Sequence, residues 1–194
     1  MSAADHLTFR FDLGATWLDF LATKGRTFGA HPVERIATAE RLGEWLQRVE
    51  LAPARPPGPA DVARAHAVRE NLRLLALPVV EGGVPPAAAA EETARFLADQ
   101  PDPVRLTVSG PLRREPPADT GAALARIARQ AVDHLTGPQC ATLAVCPEHD
   151  CRGLFTNPSG RRRWCPAPAC ASRGRVRALR ERRRAEARSG DAGT

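Results

Sequence analysis

Four cysteines near the C-terminal end, Cys146, Cys151, Cys165 and Cys170, form two pairs. Each pair encloses four residues, and thirteen residues separate the pairs. Thiolates are soft donors, and two short-spaced pairs deliver four sulfurs to one tetrahedral ion. Zinc favours such a set, with Zn–S bonds of ~2.3 Å. A closed shell of four thiolates leaves no position for a reacting water, so the expected work of the metal is to hold the fold. Two disulfides or four buried thiols are the competing readings of the same count. A reducing compartment disfavours the first. Surroundings of Pro, Gly and Arg, poor in aliphatic residues, disfavour the second. His149, inside the first pair, and Cys140, six residues upstream of it, are candidate substitute ligands.

The same stretch concentrates positive charge. The chain carries +6 overall, yet Cys146 to Arg188 alone holds 12 Arg against 4 acidic residues. The remainder is therefore slightly acidic, an asymmetry expected of a protein that meets a polyanion. Arg outnumbers the single Lys (Lys24) throughout, which is consistent with GC-rich coding, so the clustering is the informative part. Arg161, Arg162 and Arg163 precede Trp164-Cys165. Beyond Cys170, Ser172 is expected to cap a helix over 172–188. On it Arg173, Arg177, Arg180, Arg184 and Arg188 share one face, with Arg175, Arg182 and Arg183 widening the charge. Val176 and Leu179, on another side, are expected to pack back on the metal module or on the helical domain. The candidate nucleic-acid contacts are Arg161, Arg162, Arg163, Arg173, Arg175, Arg177, Arg180 and Arg184. A zinc-stapled turn feeding a basic helix suits duplex DNA, whose major groove is ~12 Å wide. The alternative is a zinc-braced surface for an acidic protein partner. Single-stranded RNA fits less well, because Phe155 and Trp164 are the only aromatic platforms in the segment.

The elements that must position these groups form a mainly α fold. Leu7, Phe9, Phe11 and Leu13 alternate, as in a short strand. Helices are expected over 15–25, 39–50 (Leu42, Trp45, Leu46 and Val49 on one face), 60–77 ended by Pro78, and 87–100. Val104, Leu106 and Val108, followed by Ser109-Gly110 and Leu112, predict a β-hairpin. Asp119 is placed to cap a helix over 120–136, with Gly137-Pro138 stopping it. The domains expected are a helical unit with a small hairpin over 1–139, a metal module with its basic helix over 140–188, and a frayed tail over 189–194. The segment 140–171 has too little apolar surface to fold unaided.

With these motifs assembled, the segment FTNPSGRRRWCPAPAC resembles the CGNR zinc finger, which has two Cys-x4-Cys pairs and a basic run before the third cysteine. Here the signature tetrapeptide reads Cys170-Ala171-Ser172-Arg173, so its first and last residues match and the Gly-Asn pair does not. The stretch TWLDFLATKG is similar to a Leu-Asp-Phe-Val-Asn-Thr motif of the ABATE domain that precedes such fingers. Leu18, Asp19, Phe20 and Thr23 fit it, and Ala22 stands where Asn is usual. GEWLQRVEL and RENLRLL are similar to the helices of that domain. The resemblance implies a bacterial, stress-linked transcription regulator. Its finger would bind DNA, and its N-terminal domain would sense a small-molecule ligand or form a homodimer.

Enzymatic activity is not expected. The chain has no Ser-His-Asp cluster, no HExxH and no phosphate-cradling glycine loop. His66 and His134 are expected on a helix surface or satisfied in the core, and Asp19 as a helix cap or pocket residue. No run approaches the ~18 apolar residues that span a bilayer, and MSAADHLTFRFDLG lacks the pattern of a secretory signal. A cytoplasmic location is expected. Replacing Cys165 is expected to unfold 146–171 and spare the helical domain.

Overall fold

The computed structural model describes residues 7–108 and 110–191, and for several positions from Pro168 onward, including 184–191, only the backbone. The elements run α1 (Thr16–Leu21), β1 (Lys24–Gly25), β2 (Val33–Glu34), α2 (Ala39–Arg48), α3 (Pro59–Val80), α4 (Ala87–Asp99), β3 (Leu106–Val108), β4 (Leu112–Arg114), α5 (Thr120–Thr136), β5 (Leu143–Val145), β6 (Leu154–Thr156) and α6 (Pro168–Asp191). The fold is mainly helical, and among the described residues the strands pair as three antiparallel hairpins, β1–β2, β3–β4 and β5–β6. Among the described residues no helix is long and apolar enough to cross a membrane.

Local chemistry explains most boundaries. Thr38 accepts from Arg41 N at 3.3 Å to start α2, and Asp119 accepts from Ala122 N at 2.9 Å to start α5. Both are side-chain N-caps that satisfy orphan amides of a first turn. Pro59 opens α3 at its first turn, where a missing N–H costs nothing. Pro78 does not end α3 as expected, because the helix runs on to Val80. A proline in the last turn forfeits one intrahelical bond, and the chain closes beyond it through Gly83 N to Pro78 O at 2.8 Å.

α5 is the central strut. Ala123, Leu124, Ala125, Ala128 and Ala131 are fully buried, and the small alanine side chains let α1, α3 and α4 approach closely. Trp17, Leu18, Phe20, Ile36, Leu42, Trp45, Leu46 and Leu72 complete the core. The segment 7–13 is not a strand. Phe9 and Leu13 are buried while Leu7 and Phe11 are exposed, and its carbonyls are taken by side chains: Arg35 Nε donates to Thr8 O at 2.9 Å and Arg41 Nη2 to Leu7 O at 2.7 Å. With no neighbouring strand to pair, alternation alone does not make a ladder.

The interior face of α3 carries two arginines that its apolar periodicity conceals. Arg69 is 1% exposed and forms a fork on Glu34, donates to Thr23 Oγ1 at 2.8 Å and pairs with Glu70 at 3.1 Å. Arg73 donates to Leu21 O at 2.8 Å and to Glu70 at 3.3 Å. Burial opposes the ionisation of Glu34, yet the Arg69 fork outweighs it and holds that carboxyl below its usual range.

The cysteine segment is packed onto this framework through one continuous apolar cluster. Leu143, Leu154, Phe155, Cys146, Cys165 and Cys170 belong to the same core as Phe9, Leu13 and Trp17. Thr156 N donates to Leu13 O at 2.9 Å, and Phe28 N to Asp150 O at 3.3 Å. Arg152 clasps both oxygens of Glu81, each at 2.7 Å. Gly14 sits at φ +96°, where a Cβ would lie 1.9 Å from Thr156 Oγ1.

Candidate metal centre and basic surface

The hairpin β5–β6 carries the first cysteine pair. Cys146 follows β5, and its N donates to Gly153 O at 2.9 Å, which folds the intervening loop into a knuckle. Cys151 N donates to Glu148 O at 2.9 Å within it. The second pair straddles the start of α6, with Cys165 in the approach and Cys170 in the first turn. Helical amides carry partial positive charge at that end and favour a thiolate there. Ser172 therefore lies inside the helix and does not cap it: α6 begins at Pro168, four residues earlier than expected.

All four sulfurs lie within 4.8 Å of one another, and Cys146, Cys165 and Cys170 are buried. Cys151 and Cys165 Sγ are 3.9 Å apart. A tetrahedral ion with bonds of ~2.3 Å needs sulfurs ~3.8 Å apart, so the set fits zinc. None of these cysteines is joined in a disulfide. The sulfurs also receive weak hydrogen bonds from outside the set. Gly153 N lies 3.4 Å from Cys151 Sγ, Arg10 Nη1 3.9 Å from Cys165 Sγ and Arg173 Nη2 3.7 Å from Cys170 Sγ. Such donors spread the negative charge of a tetrathiolate. Among themselves the thiols share protons unequally. A hydrogen bond with Cys151 brings Cys146 down to about 7, and one with Cys146 lowers Cys165. Cys151 and Cys170 are pushed up, each chiefly by its hydrogen bond with Cys146. Four adjacent thiolates repel, so the cluster keeps protons until a dication displaces them.

The substitute ligands lie outside this set. His149 is exposed, with Nδ1 3.3 Å from Asp150 Oδ1. Cys140 sits half-buried in the 3-10 turn Pro138–Thr142. Neither belongs to the four-sulfur cluster.

The arginines divide into two groups. Arg161, Arg162 and Arg163 are exposed on a loop braced by Asn157, whose Nδ2 donates to Arg162 O at 2.9 Å and whose Oδ1 accepts from Arg162 N at 3.1 Å. The Arg163 guanidinium stands 5.0 Å over the Trp164 ring. Trp164 in turn lies on α6 at Gly174, where a Cβ would be 2.4 Å from its Nε1. Arg175, Arg180, Arg182 and Arg183 are exposed along the helix. Arg173 and Arg177, 39% and 50% exposed, reach back toward the knuckle. Arg177 Nη2 lies 2.8 Å, and Arg173 Nε 3.6 Å, from Glu148 Oε1, and the Glu148 side chain is 1% exposed. Nothing in the position of Glu148, in the loop between two ligand cysteines, signals its burial in the sequence. Val176 and Leu179 do not pack back on the module: they are 45% and 40% exposed. Beginning the helix at Pro168 and pinning its Arg173–Arg177 side to Glu148 turns them to solvent. The side chains of Arg184 and Arg188 lie outside the described residues.

Asp19, in α1, accepts from Leu13 N at 3.1 Å and ties the N-terminal segment to the helix. His66 Nε2 is 3.1 Å from Ile36 O and 3.5 Å from Glu34. His134 is buried, and its Nδ1 accepts from Trp17 Nε1 at 3.1 Å.

Comparison with protein families agrees with this geometry. Residues 14–138 match the ABATE model, described as "Putative stress-induced transcription regulator". Residues 142–183 match the model of the CGNR zinc finger. Among curated proteins none matches the chain.

Proposed function

Since the chain belongs to the ABATE family and carries a CGNR zinc finger, we propose that it is a cytoplasmic, bacterial DNA-binding transcription regulator. Its zinc-braced helix α6 contacts duplex DNA, and its N-terminal domain senses a small ligand or dimerises. The observation that carries this reading is the union of a four-sulfur metal cluster with exposed arginines on the helix it anchors. Guanidinium groups on the 161–163 loop and on α6 suit phosphates. Val176 and Leu179, exposed among them, suit the methyl groups of thymine. The reading assigns no catalysis, because a tetrathiolate zinc has no open coordination position.

One feature of the N-terminal domain supports a sensing role. A groove of about 2240 Å³ runs between α5, the loop after α2 and the β3–β4 hairpin, lined by Ala15, Val49, Leu112, Arg126, Gln130 and His134. At its wall the Trp17 indole N–H donates to His134 Nδ1, and His134 Nε2 is buried without a partner among the described residues. The exposed side chains of Leu106, Val108 and Leu112 on the hairpin suit either a ligand's apolar body or a second copy of the chain.

Fluorescence anisotropy of zinc-loaded protein with labelled duplexes, including fragments near its own gene, tests the proposal. With about six phosphates neutralised, log Kd should rise with log salt at a slope near 5. A single module buries only roughly 600–1,000 Å² on DNA, so tight specific binding is expected from a dimer. Absence of binding at ~50 mM salt, where the electrostatic contribution is large, would refute the DNA reading.

A further inference from the structure

Glu148 is an acidic residue at the centre of the most basic part of the chain. Its carboxylate is buried, yet the knuckle supplies it no side-chain cation. Its partners come from the helix: Arg177 at 2.8 Å and Arg173 at 3.6 Å, both on Oε1, while Oε2 has no partner among the described residues. A buried carboxylate left unpaired is strongly unfavourable, so this side of α6 is drawn toward it. Arg173 also reaches Cys170 Sγ at 3.7 Å, and Trp164 packs at Gly174 on the adjoining side. The Glu148 pairs, the packing of Trp164 and the place of Cys170 in the four-sulfur cluster therefore set the rotation of the helix about its axis. The opposite side carries Arg175, Leu179 and Arg182, with Val176 and Arg183 on its flank, all exposed.

We propose that Glu148 is a positioning residue of the DNA interface: it occupies Arg173 and Arg177 as a phosphate would, withholds them from the duplex, and fixes which face of α6 meets DNA. The inference rests on the DNA-binding reading and narrows it. The working cations are Arg161, Arg162, Arg163, Arg175, Arg180, Arg182 and Arg183. Two of the five arginines that helical periodicity places on one face, Arg173 and Arg177, are structural. Glu148 also limits indiscriminate binding, because each cation it neutralises removes one counterion-releasing contact from any sequence.

The experiment compares the salt dependence of wild type, R175Q, R177Q and E148Q on one mixed-sequence 20-base-pair duplex, with zinc content measured for each. Each phosphate contact contributes ~0.9 to the log–log slope. R175Q should flatten the slope by about that amount, and R177Q should leave it unchanged. E148Q should steepen it by up to ~1.8 and tighten binding at low salt. Equal flattening by R175Q and R177Q overturns the proposal, as does an E148Q protein that retains zinc with an unaltered slope. If E148Q loses its zinc, the comparison of R175Q with R177Q decides. A second readout needs no DNA. In 15N relaxation, Arg177 Nε–H should be rigid and Arg175 Nε–H mobile in the wild-type chain, and equal mobility overturns the clamp. A rigid Arg177 in a chain that binds no duplex would sink the DNA reading and leave the clamp standing.

Discussion

Asp19 shows how one side chain ties a segment down at a cost. It accepts from Leu13 N, which holds Phe9 and Leu13 over the core, but burial pushes its carboxyl up to about 6. The folded state then holds a proton more tightly than the unfolded chain does. Between the unfolded value near 4 and about 6, stability must fall as pH rises, and the full penalty persists above 6. Asn keeps the acceptor and removes the charge. D19N should therefore abolish that decline and be the more stable protein at pH 7, as urea midpoints at pH 4, 5, 6 and 7 would record. A midpoint that falls equally in both proteins across this range would show that Asp19 is not its source. The neighbouring Arg69–Glu34 fork has the opposite sign, since a lowered carboxyl pKa adds stability at neutral pH that is lost on acidification.

Among the elements, the β5–β6 hairpin does the joining. Its outer residue Thr156 bonds Leu13 O, and it sits against Gly14 so closely that no side chain fits there. An L-residue at φ +96° is strained, and the added methyl would collide with Thr156. G14A should cost about 3 kcal/mol in chemical denaturation, compounded of that strain and the collision. It should also raise amide exchange at Thr156, because the bond to Leu13 O must lengthen to admit the methyl. Unchanged exchange there would mean that the hairpin is not held by this contact. Among its described residues α6, by contrast, is anchored at its start. Cys170, Trp164 against Gly174, and Glu148 act within its first three turns, and beyond them its described side chains face solvent. That is the form expected of a helix whose remaining partner is another molecule.

Over the whole molecule, the metal module and the helical domain share one core. Arg10, from the N-terminal segment, reaches Cys165 Sγ, and Arg152, from the module, clasps Glu81 at the end of α3. Loss of the ion therefore cannot stay local. Zinc binding energy is folding energy where the site exists only in the folded chain. C165S, or chelation of the wild type, should lower the thermal midpoint of the entire chain, read through the buried Trp17 and Trp45. The expectation that the helical domain is spared changes accordingly. A C165S protein whose Trp17 and Trp45 signals melt at the wild-type temperature would show that the shared core transmits nothing.

Much of this was legible one residue at a time. The spacing of Cys146, Cys151, Cys165 and Cys170 specified the cluster, since four sulfurs on two short turns have few other uses. Thr38 does not stand out from its neighbours, but Asp119, Gly137 and Pro138 marked the bounds of α5, and Gly110 the turn between β3 and β4, because caps and turns depend on nearest neighbours alone. The burial of Arg69, Arg73 and Glu148 was not legible. A charge enters a core only when a distant partner meets it, and Glu34 lies thirty-five residues from Arg69, Arg177 twenty-nine from Glu148. The rotation of α6 was hidden for the same reason. Periodicity shows which arginines share a face, and only the packing of that face against Glu148 and Trp164 decides whether it looks inward or out.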